Sequence, residues 1–157
     1  MVIRFGTDSL GPVLQLKNKG KLVFTNGCFD LLHGGHVQYL KEAAALGESL
    51  IIGLNSDDSV RRLKGRERPI LSQEERASIL TALWAVKAVV IFSQDTPLEL
   101  IQAIVPDTLV KGGDWSVEQI VGSEFVLKNG GTVKSLPYLE GSSTTGIVER
   151  VLERYSG

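Results

Sequence analysis

Cysteine is almost absent: Cys28 stands alone in 157 residues, so no internal disulfide can form. That suits a reducing compartment, and a cytoplasmic location is expected. Long apolar runs are missing too. The longest are strand-sized, far short of the ~20 residues a membrane-spanning helix needs. No apolar run follows Met1-Val2-Ile3-Arg4, so no signal peptide is read and no membrane partner is expected. The chain also lacks an excess of either charge. Seventeen Lys and Arg oppose eighteen Asp and Glu, a net charge of -1. A nucleic-acid binder usually carries a basic surplus, so nucleic acid is not the expected partner, although a local pocket for a small anion fits. There is no Gly-rich loop ending in Lys-Ser/Thr, no Gly-x-Gly-x-x-Gly, no Gly-x-Ser-x-Gly elbow and no candidate catalytic triad. No tandem repeat or low-complexity segment interrupts the chain.

The chain does contain alternating strand and helix patterns. Apolar runs at Leu22 to Thr25, Leu50 to Leu54, Ala88 to Phe92, Thr108 to Val110 and Thr132 to Leu136 are nearly continuous, as in strands covered on both faces. Between them lie helical signals. Val37, Leu40 and Ala44 share one stripe and Gly47 stops it. Ser72-Gln73-Glu74-Glu75 reads as a capping box for a helix through Leu83. Thr96-Pro97 reads as N-cap then first helical residue, Ser123 as a cap, and Thr145 to Tyr155 as the last helix. The fold class is therefore α/β. One doubly wound, Rossmann-like, five-stranded parallel sheet with helices on both faces is expected over a single domain, residues 1–157. Residues 1–20 form an N-terminal extension of unassigned role.

Ligands of such sheets bind beyond the carboxyl ends of the strands. After the first run comes Asn26-Gly27-Cys28-Phe29-Asp30-Leu31-Leu32-His33-Gly34-Gly35-His36. His33 and His36 lie three apart at the start of a helix, which places both imidazoles on one face. The helix start adds free N–H groups and the positive end of a dipole. Gly34 and Gly35 open the approach. Together they form a site for a polyphosphate. The competing reading is metal binding, but no further histidine exists and Cys28 precedes the pair, so carboxylates would have to complete a zinc site. No resident metal is assigned. Cys28 reads better as a small buried hydrophobe than as a nucleophile.

Ser142, Ser143, Thr144 and Thr145 open the final helix, more hydroxyls than one cap needs; they act as caps or as donors to a triphosphate. Arg61, Arg62, Lys64, Arg66 and Arg68 surround Gly65. Most of such a run is a solvated face, and Lys64 is the candidate to swing over a phosphate. Lys111-Gly112-Gly113-Asp114-Trp115 reads either as close backbone contact with a ligand or as a plain turn.

These residues resemble a known superfamily. His33-Gly34-Gly35-His36 matches the His-x-Gly-His signature of the nucleotidylyltransferases, and Ser143-Thr144-Thr145 resembles their second signature. Within it the chain is most similar to the D-glycero-β-D-manno-heptose 1-phosphate adenylyltransferases, through Thr25 to Asp30, Arg62 to Gly65, Arg68-Pro69, Leu109 to Asp114 and Asn129 to Gly131. That family often carries a sugar kinase domain in front; no kinase-sized segment precedes the motif here, so a stand-alone form is expected. Glycerol-3-phosphate cytidylyltransferases are the rivals; they tend to have Thr where Cys28 stands and Arg where Tyr138 stands. A nucleotide-binding regulatory module without turnover is a third class.

The resemblance implies ATP and a sugar phosphate as substrates, Mg²⁺ with the ATP, and a homodimer. It implies His33, His36 and Lys64 as catalytic residues. Asn26, Cys28, Phe29, Lys111, Gly112, Ser143, Thr144 and Thr145 join them in binding the nucleotide. Asp30, Asp114 and Trp115 are expected toward the second substrate.

Overall fold

The computed structural model describes residues 1–137 and 141–156. Six strands form one sheet: β1 (Val2–Arg4), β2 (Leu22–Gly27), β3 (Ser49–Asn55), β4 (Val86–Phe92), β5 (Thr108–Gly112) and β6 (Thr132–Leu136). Their order is β1-β4-β3-β2-β5-β6, and every pairing is parallel. The expected five strands are present, each within two residues of its apolar run. The sixth corrects the count. β1 lies in the segment left unassigned and pairs only with β4, with Val2 opposite Val89. Three edge residues, of which only Ile3 is buried, carry too little periodicity to be read.

Seven α-helices connect or flank the strands: α1 (Gly11–Leu14), α2 (Gly34–Ala44), α3 (Asp57–Lys64), α4 (Gln73–Ala82), α5 (Leu98–Ile104), α6 (Ser123–Lys128) and α7 (Thr144–Tyr155). The capping box forms as expected: Glu75 N–H donates to Ser72 Oγ at 3.3 Å, and Ser72 N–H to Glu75 Oε2 at 2.9 Å. Three starts move by one residue, α7 beginning at Thr144 rather than Thr145. Pro97, not Thr96, is the N-cap of α5, and Gly122 precedes α6, so Ser123 is its first residue rather than its cap. α3 was not foreseen as a helix. Its signals are polar: Ser56 caps it, Asp57 and Asp58 occupy the first turn, and Arg61, Arg62 and Lys64 the last. Those charges complement the helix dipole at both ends.

Successive strand residues feed opposite layers, which explains the continuous apolar runs. Phe24, Ile51, Val90 and Leu109 pack on one side with Leu100, Ile101 and Ile104 of α5. Val23, Ile52, Val89 and Val110 pack on the other with Tyr39, Leu40 and Ala43 of α2 and Leu80 of α4. Chain order reverses at β2, with β3 and β4 added on one side and β5 and β6 on the other. The carboxyl ends of β2 and β5 therefore open a crevice.

The largest buried side chain is a charged one. Arg76 of α4 is 1% exposed. Its guanidinium donates to Leu71 O at 3.0 Å, Cys28 O at 2.6 Å, Asn55 O at 2.9 Å and Asp57 Oδ1 at 2.7 Å. It joins the loop after β2, the end of β3, the start of α3 and the entry to α4. Arg76→Ala is expected to lower the unfolding free energy by about 3 kcal/mol or more, because Asp57 and three carbonyls lose their partner. Urea unfolding followed by circular dichroism checks this; a loss under about 1 kcal/mol contradicts it.

Candidate active site

The crevice beyond β2 and β5 is a cleft of about 760 Å³, within the range of small-molecule sites. Its floor is the turn after β2. Asn26, Gly27, Cys28, Phe29 and Asp30 all line it. Phe29 holds a left-handed backbone, φ 46°, which is costly for an aromatic residue and concentrates strain at the cleft. The turn sets the Phe29 ring, 7% exposed, against His36, with ring centres 5.2 Å apart.

His33 is the N-cap of α2 and His36 is two residues into the helix after Gly34. Their rings stack, 3.8 Å between centres and 24° between planes. Among the described residues each Nδ1 is buried without a hydrogen-bond partner. Burial pushes the His36 imidazole down to about 4, with the neighbouring His33 adding to the effect, and burial also lowers His33. Both rings are neutral at pH 7. Each then has one N–H to donate and one nitrogen to accept. The first N–H groups of α2 have no partner inside the helix and point the same way.

The C-terminal hydroxyls meet this helix end. Ser142, Ser143, Thr144 and Thr145 all line the cleft. Ser143 is the cap of α7, its Oγ accepting from Gly146 N–H at 3.0 Å, while Thr144 Oγ1 donates to Leu31 O at 3.4 Å. Contact between the two motifs is tight. A Cβ at Gly35 would lie 2.9 Å from Ser142 Cβ and 3.1 Å from the His33 ring. Any side chain there would drive the two motifs apart, so Gly35 is required by approach.

Lys64, exposed at the end of α3, and Lys111, half-buried on β5, complete the cationic lining with Gly112 beside them. Cys28 lies near both lysines. Burial nevertheless raises its thiol, outweighing the pull of Lys64 and Arg76, so it stays protonated at neutral pH. That removes the nucleophile reading.

Three expected residues do different work. Asp30 is 4% exposed, and its carboxylate is fully engaged: Oδ2 with Arg68 Nη1 at 2.9 Å, Oδ1 with the N–H of Ile70 at 2.8 Å and Leu71 at 3.1 Å. It anchors the 68–71 segment from the edge of the cleft. Asp114 and Trp115 do not line the cleft. Trp115 donates its indole N–H to Gly112 O at 3.1 Å and is 47% exposed, so it braces the turn. Tyr138, quoted against the cytidylyltransferases, lies outside the described residues.

Other lining residues went unread. Arg68 was taken with the solvated basic run, and its pairing with Asp30 needs the fold to be seen. Tyr39 lies one turn beyond His36, and its hydroxyl hydrogen-bonds the Thr25 hydroxyl and the Val110 carbonyl, so it was masked by the apolar stripe of α2. Asn55 ends β3 and Thr96 lies in the loop after β4, where a strand-end search reaches them. Among the described residues no group of three or more His, Cys, Asp or Glu is placed to hold a metal ion, and no helix is long and apolar enough to cross a membrane.

Residues 24–150 match the Cytidylyltransferase-like family. The bifunctional protein HldE of Pelobacter propionicus is 59% identical over 95% of this chain, and that of Syntrophotalea carbinolica is 55% identical over 94%. In each case the chain spans only 31% of the relative's length. Among solved structures, the lipopolysaccharide core biosynthesis protein of Thermoplasma volcanium superposes with a TM-score of 0.61 at 27% identity, covering 78% of this chain and 99% of that one. The pantoate-β-alanine ligase of Francisella tularensis superposes with a TM-score of 0.60 at 15% identity, covering 100% and 79%, a likeness of fold alone.

The buried imidazole has a measurable consequence. An unfolded histidine takes up a proton near pH 6.5, whereas folded His36 resists until about pH 4. Its share of stability is whole above pH 6.5 and is lost as pH falls toward 4. Wild type should therefore lose roughly 2 kcal/mol more than His36→Gln between pH 7 and pH 4, a figure already reduced for partial exposure. Urea titrations at both pH values check this; parallel losses contradict it.

Proposed function

Because the chain belongs to the cytidylyltransferase-like family, we propose that it is a nucleotidyltransferase that transfers AMP from ATP to D-glycero-β-D-manno-heptose 1-phosphate, releasing pyrophosphate and ADP-heptose. The observation that carries this reading is the convergence of His33, His36 and the α2 N-terminus with Ser142–Thr145 in one cleft, Ser142 packed on Gly35. The identity to HldE sequences and the resemblance in Thr25 to Asp30 and Leu109 to Asp114 support the choice of substrates.

A phosphomonoester is largely a dianion near neutral pH, its second pKa being about 6. Its oxygen attacks the α-phosphorus of ATP in line. The new P–O bond forms as the bond to the β-phosphate oxygen breaks, and pyrophosphate leaves with that electron pair. No general base is needed. The protein's work is to hold the reactants and to balance developing charge. His33 and His36 donate N–H bonds to the α- and β-phosphates. Neutral rings suit this role, and the arriving anion raises their pKa toward protonation as charge builds on the leaving group. Ser143, Thr144, Thr145 and the α7 N-terminus hold the β- and γ-phosphates. Lys64 closes over the triphosphate. The 26–29 turn and Gly112 place the nucleoside.

Mg²⁺ enters as part of the ATP substrate. Asp30 already accepts from Arg68 and two N–H groups, so the ion would be held chiefly through the substrate and would offset charge on its phosphates. The reaction belongs in the cytoplasm, where ATP is made available, and Cys28 as a free thiol is consistent with that compartment. A homodimer would find in Trp84, 74% exposed after α4, its largest apolar side chain to bury.

The family description favours one second reading, CMP transfer from CTP to glycerol 3-phosphate. Pyrophosphate release is measured with ATP or CTP against heptose 1-phosphate and glycerol 3-phosphate. Release only with ATP and the heptose phosphate is expected. Release only with CTP and glycerol 3-phosphate selects the second reading, and tight ATP binding without release from any phosphate selects a regulatory module. His36→Ala is expected to lower kcat by about 10² or more, the range for loss of a transition-state donor, in the same assay. Near wild-type turnover removes the role assigned to His36.

A further inference from the structure

Arg76 and Arg68 are drawn out of water, and each is compensated within the chain. Arg76 has Asp57 and three carbonyls, and Arg68 has Asp30. Lys111 is treated differently. It is half-buried on β5, where neighbouring Val110 and Gly112 are fully covered, and it lines the cleft. Among the described residues its ammonium has no ion pair and no hydrogen bond. Burial lowers its pKa, and the neighbouring ionisable groups it feels are the Cys28 thiol and the Lys64 ammonium, not a carboxylate. An ammonium withdrawn from water without an anion costs several kcal/mol. A folded chain tolerates that where a ligand brings the anion.

The topology separates this cation from the imidazoles. Lys111 reaches the 26–29 turn from β5, on one flank of β2. Lys64 reaches it from α3, which follows β3 on the other flank. His33 and His36 sit instead at the start of α2, the helix that follows β2. The cleft thus holds two groups of anion donors. One is the neutral imidazole pair with two helix ends and a run of hydroxyls. The other is the Lys111 ammonium beside Cys28, across β2 from the Lys64 assigned to the triphosphate. Transfer between two phosphorylated substrates requires two anion sites, and the triphosphate already occupies the first.

We propose that Lys111 binds the phosphate of the acceptor rather than the nucleotide, a subsite that rests on the nucleotidyl-transfer reading above. An ammonium is a compact point charge, suited to a terminal phosphate dianion whose oxygens must turn toward the α-phosphorus. The subsite also explains how a phosphorylated sugar is chosen over the free sugar, because only the former neutralises Lys111.

Lys111→Met keeps the length and the apolar stem and removes the charge. With whichever phosphate the wild type accepts, the KM for that phosphate should rise roughly 10- to 100-fold, the range for a lost hydrogen bond to a charged group. The Kd for ATP, measured by calorimetry without acceptor, should stay within about twofold, and Lys111→Arg should recover part of the lost acceptor affinity. The melting temperature of Lys111→Met should equal or exceed that of wild type, since an uncompensated buried charge is gone; a purely structural lysine predicts a fall. An unchanged acceptor KM in a wild-type-like, active variant overturns the assignment while leaving the transfer reading intact, as does a loss of ATP affinity matching the loss for the acceptor. A wild type that releases pyrophosphate with no phosphate tested overturns both.

Discussion

The cleft depends on one buried cation that never touches it. Arg76 donates four hydrogen bonds to three stretches of chain, among them Cys28 O just beyond β2 and Asn55 O at the end of β3. A parallel sheet fixes the strands but leaves the loops at their carboxyl ends free to choose among conformations. Here a guanidinium with a rigid fork removes that freedom. It also sets the start of α3 through Asp57, and therefore the point from which Lys64 extends, two helical turns later. Asp30 does the same for the neighbouring segment, with Arg68 and the N–H groups of Ile70 and Leu71 as its partners. The charged groups with the best geometry in this protein hold loops, and those facing the cleft are left with fewer partners.

That division explains the electrostatic character of the site. The imidazoles are stacked, half-buried and short of partners, so they stay neutral in the free protein. Their desolvation costs something in stability and is maintained by packing: the Phe29 ring against His36, and the missing side chain of Gly35 that lets Ser142 approach. A pair of permanently charged groups in the same place would repel each other at a ring separation of 3.8 Å. Neutral rings avoid that repulsion until an anion arrives to offset it.

Much of this was legible in the chain. The buried strands announced themselves because residues such as Val23 and Phe24 serve opposite layers and must both be apolar. His33, His36 and Ser143–Thr145 were legible because few residue types bind phosphate at helix starts. What escaped shares a cause. β1 is a three-residue edge, and α3 is built from capping and charge with Val60 its one buried apolar residue, so neither writes an apolar period. Asp30 looked like a ligand because a carboxylate beside a glycine turn has no visible partner until Arg68, 38 residues later, folds onto it. Asp114 and Trp115 looked like ligands because they follow two glycines, yet the turn directs them outward and spends the indole on Gly112. Sequence shows which groups have the chemistry, and only the fold shows which of them are already engaged.

The same criterion separates structural from functional charge within the cleft. Asp30, Arg68 and Arg76 all lie at or near it, and each has an opposite charge within the protein itself. The two imidazole Nδ1 atoms and the Lys111 ammonium are partly withdrawn from water and have no such partner among the described residues. Burial of a polar group without a partner is tolerated only at a cost, so natural chains keep it rare. When three such groups border one crevice, and a helix N-terminus with unpaired N–H groups borders it too, they share one means of compensation. An anionic ligand with several oxygens satisfies all of them at once, and the free energy withheld in the empty cleft becomes available to bind it.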